Sequence, residues 1–412
     1  MSLLASFIWS PIAGGITAPQ GFKASGVHAG LKSSDKPDLA LLLAPKGAVC
    51  AGAFTQSLVR AACVDLCIER LKATGSRARS VLINSGQANA CTGDRGLIDS
   101  LKATQAVANR LGLATEEILI CSTGVIGIPI PIEKLLDSID PLVKGLSEKG
   151  GLMAANAILT TDLVEKEISF QASFGGRIVR LGGMAKGSGM IHPDMATMLA
   201  YLSCDARIPQ LVWQKMIKKS IDNSFNVITV DGDTSTNDSV LAFSFGEPLE
   251  EEFWDELQHG LNLVTSSLAK AIARDGEGAN CLLEVQVEGA LNVKDAQLVA
   301  RTIAASSLVK TAINGCDPNW GRIIAAAGRA KVHFELIDLK LWLGPYQLIN
   351  LGQPVEFNRI EISEYLKGIL NNTKVDDCVV IKLCIGSGPA AGHAWGCDLS
   401  ERYVHINSDY TT

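Results

Sequence analysis

No stretch of this chain stays apolar for the roughly 18 residues that a membrane-spanning helix needs. The apolar opening, Ser2–Ile16, lacks the basic n-region of a secretory signal, since the first positive side chain is Lys23, and no Ala-x-Ala site follows it. A cytoplasmic protein is therefore expected. Basic residues are not in excess either: 37 Lys and Arg stand against 43 Asp and Glu, a formal net charge of -6. That argues against a nucleic-acid binder, which carries a basic patch or surplus. Among the eleven cysteines there is no Cys-x-x-Cys pair, their number is odd, and the six histidines do not gather around them. No zinc site and no other metal centre is expected, and the thiols read as buried and reduced. The phosphate loop Gly-x-x-x-x-Gly-Lys is missing. So are internal repeats and low-complexity segments.

What the chain has is ample material for a core: 412 residues, 47% of them hydrophobic, with 39 glycines for tight turns. Its length suggests about two or three domains. Apolar runs predict strands at 39–43, 48–54, 80–84, 168–170, 178–181, 282–287 and 378–385. A further strand from Ile118 breaks at Ser122-Thr-Gly124, and 331–351 is strand-rich. Helical spacing predicts helices at 58–71, 97–111, 132–139, 151–159, 208–225, 251–274, 294–311, 321–330 and 363–370. The class is mixed α/β. The pattern changes near Leu282, which divides the chain into 1–281 and 282–412.

One stretch stands apart: Lys186-Gly-Ser-Gly-Met-Ile-His-Pro-Asp-Met-Ala-Thr-Met-Leu199. Gly187 and Gly189 admit backbone conformations closed to other residues, and Pro193 fixes one φ. Thr197 follows, at the junction with an apolar run that reads as a buried strand or the start of a helix. A threonine held there is a candidate nucleophile; a Gly-Pro turn with a surface threonine is the plainer alternative. Other polar, glycine-bearing segments are Asn84-Ser-Gly-Gln-Ala-Asn-Ala-Cys-Thr-Gly93, Ser122-Thr-Gly124 and Asp231-Gly-Asp-Thr-Ser-Thr-Asn-Asp238. The first reads as a strand-to-helix turn or as the lining of a cleft, the second as a turn or a strand end, and the third as an Asx-rich turn. Backbone N–H groups left free where a strand ends can face a developing oxyanion, where one donor is worth about 3–4 kcal/mol.

The stretch from Lys186 resembles the self-cleavage site of the ornithine acetyltransferase family, the bifunctional glutamate N-acetyltransferases of cyclic arginine biosynthesis. In that family the chain cuts itself at the Ala-Thr bond of Lys-Gly-x-Gly-Met-x-x-Pro-x-Met-Ala-Thr, here Ala196–Thr197. Further resemblances lie in Thr17-Ala-Pro-Gln-Gly-Phe22, in Asn84–Gly93, in Thr311-Ala-Ile-Asn-Gly-Cys-Asp-Pro-Asn-Trp-Gly-Arg-Ile323 and in the tail Tyr403–Thr412. Departures occur too: Leu163 follows Thr160-Thr-Asp where the family has Thr. Ala279-Asn-Cys281 replaces Ala-Thr-Lys, and Ser408 and Thr411 replace Ala and Arg.

The resemblance implies a self-cleaving α/β sandwich with an N-terminal threonine nucleophile and a smaller C-terminal α/β domain. It implies an α-chain 1–196, a β-chain 197–412, and an assembly of two of each. It makes Thr197 the nucleophile, with its α-amine as base, and Thr123 and Gly124 the oxyanion hole. Thr160, Lys186, Thr197, Glu277, Asn407 and Thr412 become substrate contacts. Read alone, Lys186 is a solvated loop cation and Glu277 a helix-end charge. The implied reaction is acetyl transfer from N2-acetyl-L-ornithine to L-glutamate, with no cofactor. Acetyl-CoA is a candidate co-substrate that some family members use and others do not. The competing readings are an N-terminal-threonine aminopeptidase or amidase, and a non-catalytic binding protein.

Overall fold

Short runs apolar at every position, such as Leu39-Ala-Leu-Leu-Leu43 and Val81-Leu-Ile83, fit strands buried on both faces. The computed structural model, which describes residues 9–192, 198–371 and 378–409, places them in the middle of a layered molecule. In chain order the first elements are β1 (Ser10–Pro11), β2 (Lys23–Val27), β3 (Leu39–Leu43), β4 (Val49–Phe54), α1 (Ala62–Thr74), β5 (Ser80–Gln87), α2 (Gly93–Leu111) and β6 (Ile118–Val125). Then come α3 (Ile132–Asp137), α4 (Ile139–Lys144), α5 (Gly151–Ala157), β7 (Lys166–Phe174), β8 (Arg177–Lys186), β9 (Leu199–Arg207), α6 (Gln210–Asp222), β10 (Ser239–Pro248) and α7 (Trp254–Arg274). The last part holds β11 (Leu282–Ala290), α8 (Val293–Ala304), α9 (Ser307–Asn314), α10 (Trp320–Gly328), β12 (Lys340–Leu343), β13 (Tyr346–Asn350) and β14 (Gln353–Pro354). It closes with α11 (Arg359–Leu370), β15 (Cys378–Cys384), β16 (Ala390–Cys397) and α12 (Glu401–Ser408).

Two sheets build the first part. One has the order β1-β7-β8-β9-β10-β4, the other β2-β3-β5-β6. Side chains alternate across a strand, so each strand feeds two cores. Ala40, Leu42, Val81, Ile83 and Leu119 face Met184, Leu199, Tyr201, Leu241 and Phe243 of the other sheet. Leu39, Leu41, Leu82, Ile118 and Ile120 point the opposite way, against Val64, Val107, Leu135 and Leu142 of α1, α2, α3 and α4. On the far side, Leu181, Leu202, Val240 and Ala242 pack on Trp213 and Ile217 of α6 and on Leu261, Val264 and Leu268 of α7. The layers are therefore helix, sheet, sheet, helix. A third sheet, β14-β13-β12-β15-β11-β16, has its own core with α8, α9, α10 and α11.

Several elements differ from what periodicity predicts. The first helix starts at Ala62, and Leu58, expected at its head, is almost fully exposed. The strand from Ile118 does not break at Ser122. It runs to Val125, because Thr123 and Gly124 pair with Ser85 and Gly86 of β5, which itself continues to Gln87. The helix expected over 294–311 is two helices, since Ser306 turns extended and starts a new one. Strand structure in 331–351 begins only at Lys340. The apolar run after Thr197 is a strand, β9. Both β16 and α12 carry no clear period and were not expected.

Candidate active site

Four strand ends meet at one end of the sandwich. β8 stops at Lys186, whose ladder partner Leu199 opens β9. β10 runs parallel to β9 and starts beside it, with Ser239 paired to Leu199. β6 ends there with Thr123 and Gly124. Between them lies a cavity of about 370 Å³, lined by Thr123, Gly124, Thr160, Lys186, Met198, Asn237, Asp238, Glu277 and Asn407 among others. Glu277 comes from the turn after α7, and Asn407 from α12, so the C-terminal part closes the site. Ala196, Thr197 and Thr412 lie outside the described residues.

Lys186 is the hub. Its Nζ donates to Thr160 Oγ1 at 2.7 Å and to Thr123 Oγ1 at 3.4 Å, and lies 3.7 Å from Asp162 Oδ2. Asp162 also accepts from the backbone N–H of Gly187 at 2.7 Å and of Thr160 at 3.1 Å. Behind it, fully buried Lys166 bridges Asp162 and Asp275 at 2.8 and 2.6 Å. Burial by itself would raise the Asp162 carboxyl. The ammonium groups of Lys186 and Lys166, with the Gly187 N–H, outweigh it and hold the carboxyl well below its usual range.

Glycine is required at two lining positions. Gly124 has φ of +129°, and a Cβ there would sit 2.2 Å from the Gly86 carbonyl carbon. A Cβ on Gly189 would lie 2.4 Å from the Glu277 carboxylate, so that glycine lets Glu277 fold over the loop. Glu277 is fixed at both ends: its N–H donates to the Ser188 carbonyl, and Asn407 Nδ2 donates to Glu277 Oε2 at 2.8 Å. The segment following Lys186 is tied down by Asp231, which accepts from the N–H groups of Met190 and Ile191 at 2.6 and 2.9 Å.

Residues 23–412 match the model of the ArgJ family. The chain belongs to the ArgJ family. It is 62% identical over 412 residues to the arginine biosynthesis bifunctional protein ArgJ of Prochlorococcus marinus (strain MIT 9313), covering 100% of this chain and 96% of that protein. It is 52% identical over 411 residues to the protein of the same name from a Synechocystis strain, covering 98% and 99%. Among solved structures, ArgJ from Bacillus halodurans is 40% identical over 50% of this chain and 97% of that chain, with a TM-score of 0.46. An ornithine acetyltransferase from Mycobacterium tuberculosis, complexed with ornithine, is 39% identical over 46% and 100%, with a TM-score of 0.43.

In this ArgJ-family chain the cavity brings together Thr123, Gly124, Thr160, Lys186, Glu277 and Asn407 from five separate stretches of sequence. Asp238 is a lining residue that sequence reasoning did not single out, although its loop stood out as polar. Its side chain is 2% exposed and its Oδ2 has no hydrogen-bond partner among the described residues. Burial drives its carboxyl well above the usual range, and Ser235 and Lys186 only partly offset that. Its neighbour Asn237 pins the loop to β6 by donating to the carbonyls of Ser122, at 2.9 Å, and Ala88. Among the described residues no group of His, Cys, Asp and Glu is placed to hold a metal ion, and no helix is long and apolar enough to cross a membrane.

Proposed function

We propose that this cavity transfers an acetyl group from N2-acetyl-L-ornithine to L-glutamate through an acetyl-threonine on Thr197. The chain is an acetyltransferase of arginine biosynthesis, as its family membership implies. One observation supports the finer reading above all: an oxyanion-type strand end, a carboxylate-binding lysine and an ammonium-binding glutamate line one cavity, and so does Met198, next in sequence to Thr197.

In the proposed sequence, Thr197 Oγ1 first attacks the Ala196 carbonyl. The N-to-O shift gives an ester that water cuts, releasing an α-chain, 1–196, and a β-chain, 197–412. The new α-amine, with a reference pKa of about 7.7–8.0, takes the proton of its own hydroxyl. That hydroxyl attacks the acetyl carbonyl of N2-acetylornithine. Thr123 and Gly124 stabilise the oxyanion, ornithine leaves with the proton, and the acetyl ester remains. The glutamate amine then attacks the ester, giving N-acetylglutamate and free Thr197. Lys186 and Thr160 take the α-carboxylate of either amino acid, and Glu277, held by Asn407, takes the ornithine side-chain ammonium. Thr412 adds a further substrate contact. The catalytic part spans 1–281 and the smaller part 282–412; the cleaved chains assemble as α2β2 in the cytoplasm. No cofactor takes part.

An amidase would pass the acyl group to water. The paired carboxylate and ammonium groups around the cavity favour an amino-acid acceptor instead. The test combines a denaturing gel with a transfer assay. Wild type should run as two bands of about half the 43.6 kDa chain and release ornithine in step with N-acetylglutamate. Thr197→Ala should stay whole and inactive. An uncut variant with full activity overturns the nucleophile. Offering glutamate with acetyl-CoA in the same assay decides whether that second donor serves.

A further inference from the structure

A ping-pong transferase that takes acetyl from ornithine and gives it to glutamate faces a charge problem. The two substrates share an α-amino acid head, but one side chain ends in an ammonium and the other in a carboxylate. The first cavity suits only one of them, because Glu277 lies in it and would repel a second carboxylate. A second cavity, of about 320 Å³, adjoins the first and shares Gly124, Val125, Thr160 and Thr161 with it. Among the described residues, Lys32 is the one ionisable side chain lining it.

The Lys32 ammonium is well placed and under-used. Its Nζ donates to the Leu159 carbonyl at 2.9 Å, one residue before the Thr160 hydroxyl that receives Lys186. The two cations thus stand on consecutive residues, one lining each cavity. The bond to Leu159 is the only side-chain bond of Lys32 among the described residues, so two ammonium hydrogens are left. The loop that carries it is rigid: Asp38, fully buried, accepts from the N–H groups of Ala29, Leu31 and Lys32 at 2.6, 2.6 and 3.1 Å. Those three N–H groups occupy the Asp38 carboxylate. Burial holds the lysine below its ordinary pKa, with Asp38 opposing and Lys36 and Lys186 adding to the depression. A cation so placed gains from an arriving anion.

We propose that the second cavity is the side-chain subsite for the acyl acceptor, with Lys32 binding the side-chain carboxylate of glutamate while Lys186 binds its α-carboxylate. The two ammonium groups then clamp a dicarboxylic amino acid across Thr160, and its amine is presented at Gly124. Ornithine uses the other cavity for its side chain. One oxyanion station thereby serves substrates of opposite side-chain charge. The inference rests on the transfer reaction proposed above.

The test compares glutamate with its neutral isostere glutamine as acceptor, in wild type, Lys32→Met and Lys32→Arg. Wild type should prefer glutamate. Lys32→Met should lower the glutamate-to-glutamine ratio of kcat/KM about 10–100-fold, the loss expected of one hydrogen-bonded charge contact, mainly through the KM for glutamate. Lys32→Arg should restore most of the preference. A thermal midpoint matching wild type shows that each variant is folded. An unchanged ratio in folded Lys32→Met overturns the subsite, as does a wild type that accepts both amino acids equally. If wild type moves no acetyl group from N2-acetylornithine to any amino acid, it is the transfer reaction itself that fails.

Discussion

Lys166 and Asp162 form an ion pair with no exposed side-chain surface, 2.8 Å from Nζ to Oδ1, directly behind the lysine that faces the cavity. Asp162 thus carries two cations, Lys166 and Lys186, as well as the Gly187 N–H. Removing one member of such a set strands buried charge. Asp162→Ala should therefore cost about 3–5 kcal/mol of stability, measured by urea unfolding. The sign of its pH dependence follows from the depressed carboxyl. Its contribution is complete above the unfolded value of about 3.9 and is lost as pH falls below that, toward the lower folded value. The wild-type urea midpoint should thus drop more steeply below about pH 4 than that of Asp162→Asn. Parallel profiles would show that this carboxylate is not held ionised by its lysines.

Asp238 predicts the opposite slope. Its folded pKa is raised by burial, so ionising it opposes folding. The penalty is absent below the unfolded value of about 3.9 and grows as pH rises above it, toward the folded value. Asp238→Asn cannot ionise, so it should be more stable than wild type at pH 7 and lose that advantage below about pH 4. Urea midpoints at the two pH values check this; a variant less stable at pH 7 would mean that the carboxylate is paired there.

How legible was this in the sequence? Stretches apolar on both faces, such as Leu39–Leu43 and Val81–Ile83, could be read as strands because they are too short for a buried helix and are bounded by turn residues. Ser122-Thr-Gly124 could not, since small polar residues carry no period. Their strand comes from a ladder with Ser85 and Gly86, almost forty positions away in sequence. Helix α12 was invisible for a related reason: none of its residues is buried, so no apolar stripe marks it. The cavity residues Thr123, Thr160, Lys186, Glu277 and Asn407 were named through motif resemblance, not from local pattern. Lys166 escaped notice because a lysine in sequence looks solvated. Only the fold supplies its carboxylates, from Asp162 and from Asp275, which lies 109 residues beyond the lysine. Lys32 and Asp238 were missed likewise: the fold alone puts Lys32 beside the Leu159 carbonyl at a cavity wall and buries Asp238.

The strand end of β6 separates backbone from side-chain roles. Gly124→Ala forces a Cβ against Gly86 at a φ that favours glycine, so it should destabilise the fold and abolish transfer together. Thr123→Val keeps the shape and removes only the hydroxyl. It should lower kcat about 10- to 1,000-fold with KM nearly unchanged, because an oxyanion donor acts in the transition state. A higher KM at unaltered kcat would make Thr123 a substrate-positioning group.

The last prediction concerns the base. If the α-amine of Thr197 accepts the hydroxyl proton, kcat/KM falls as pH drops through the pKa of that amine in the free enzyme. Lys186 lines the cavity; if the amine also faces it, the lysine disfavours a second positive charge nearby and so pushes the amine pKa down. Asp162 sits behind Lys186 and pulls the other way, but its charge is shared with Lys166. Lys186→Met removes the repelling charge and leaves that carboxylate in place with one fewer cation beside it, so the amine pKa rises. The acidic limb of the kcat/KM profile should therefore move to higher pH, while KM for both amino acids rises through loss of the carboxylate contact. Lys186→Arg keeps a charge and should leave the limb near its wild-type position. A limb that stays put in Lys186→Met, or moves to lower pH, would show that this lysine holds substrate without tuning the base.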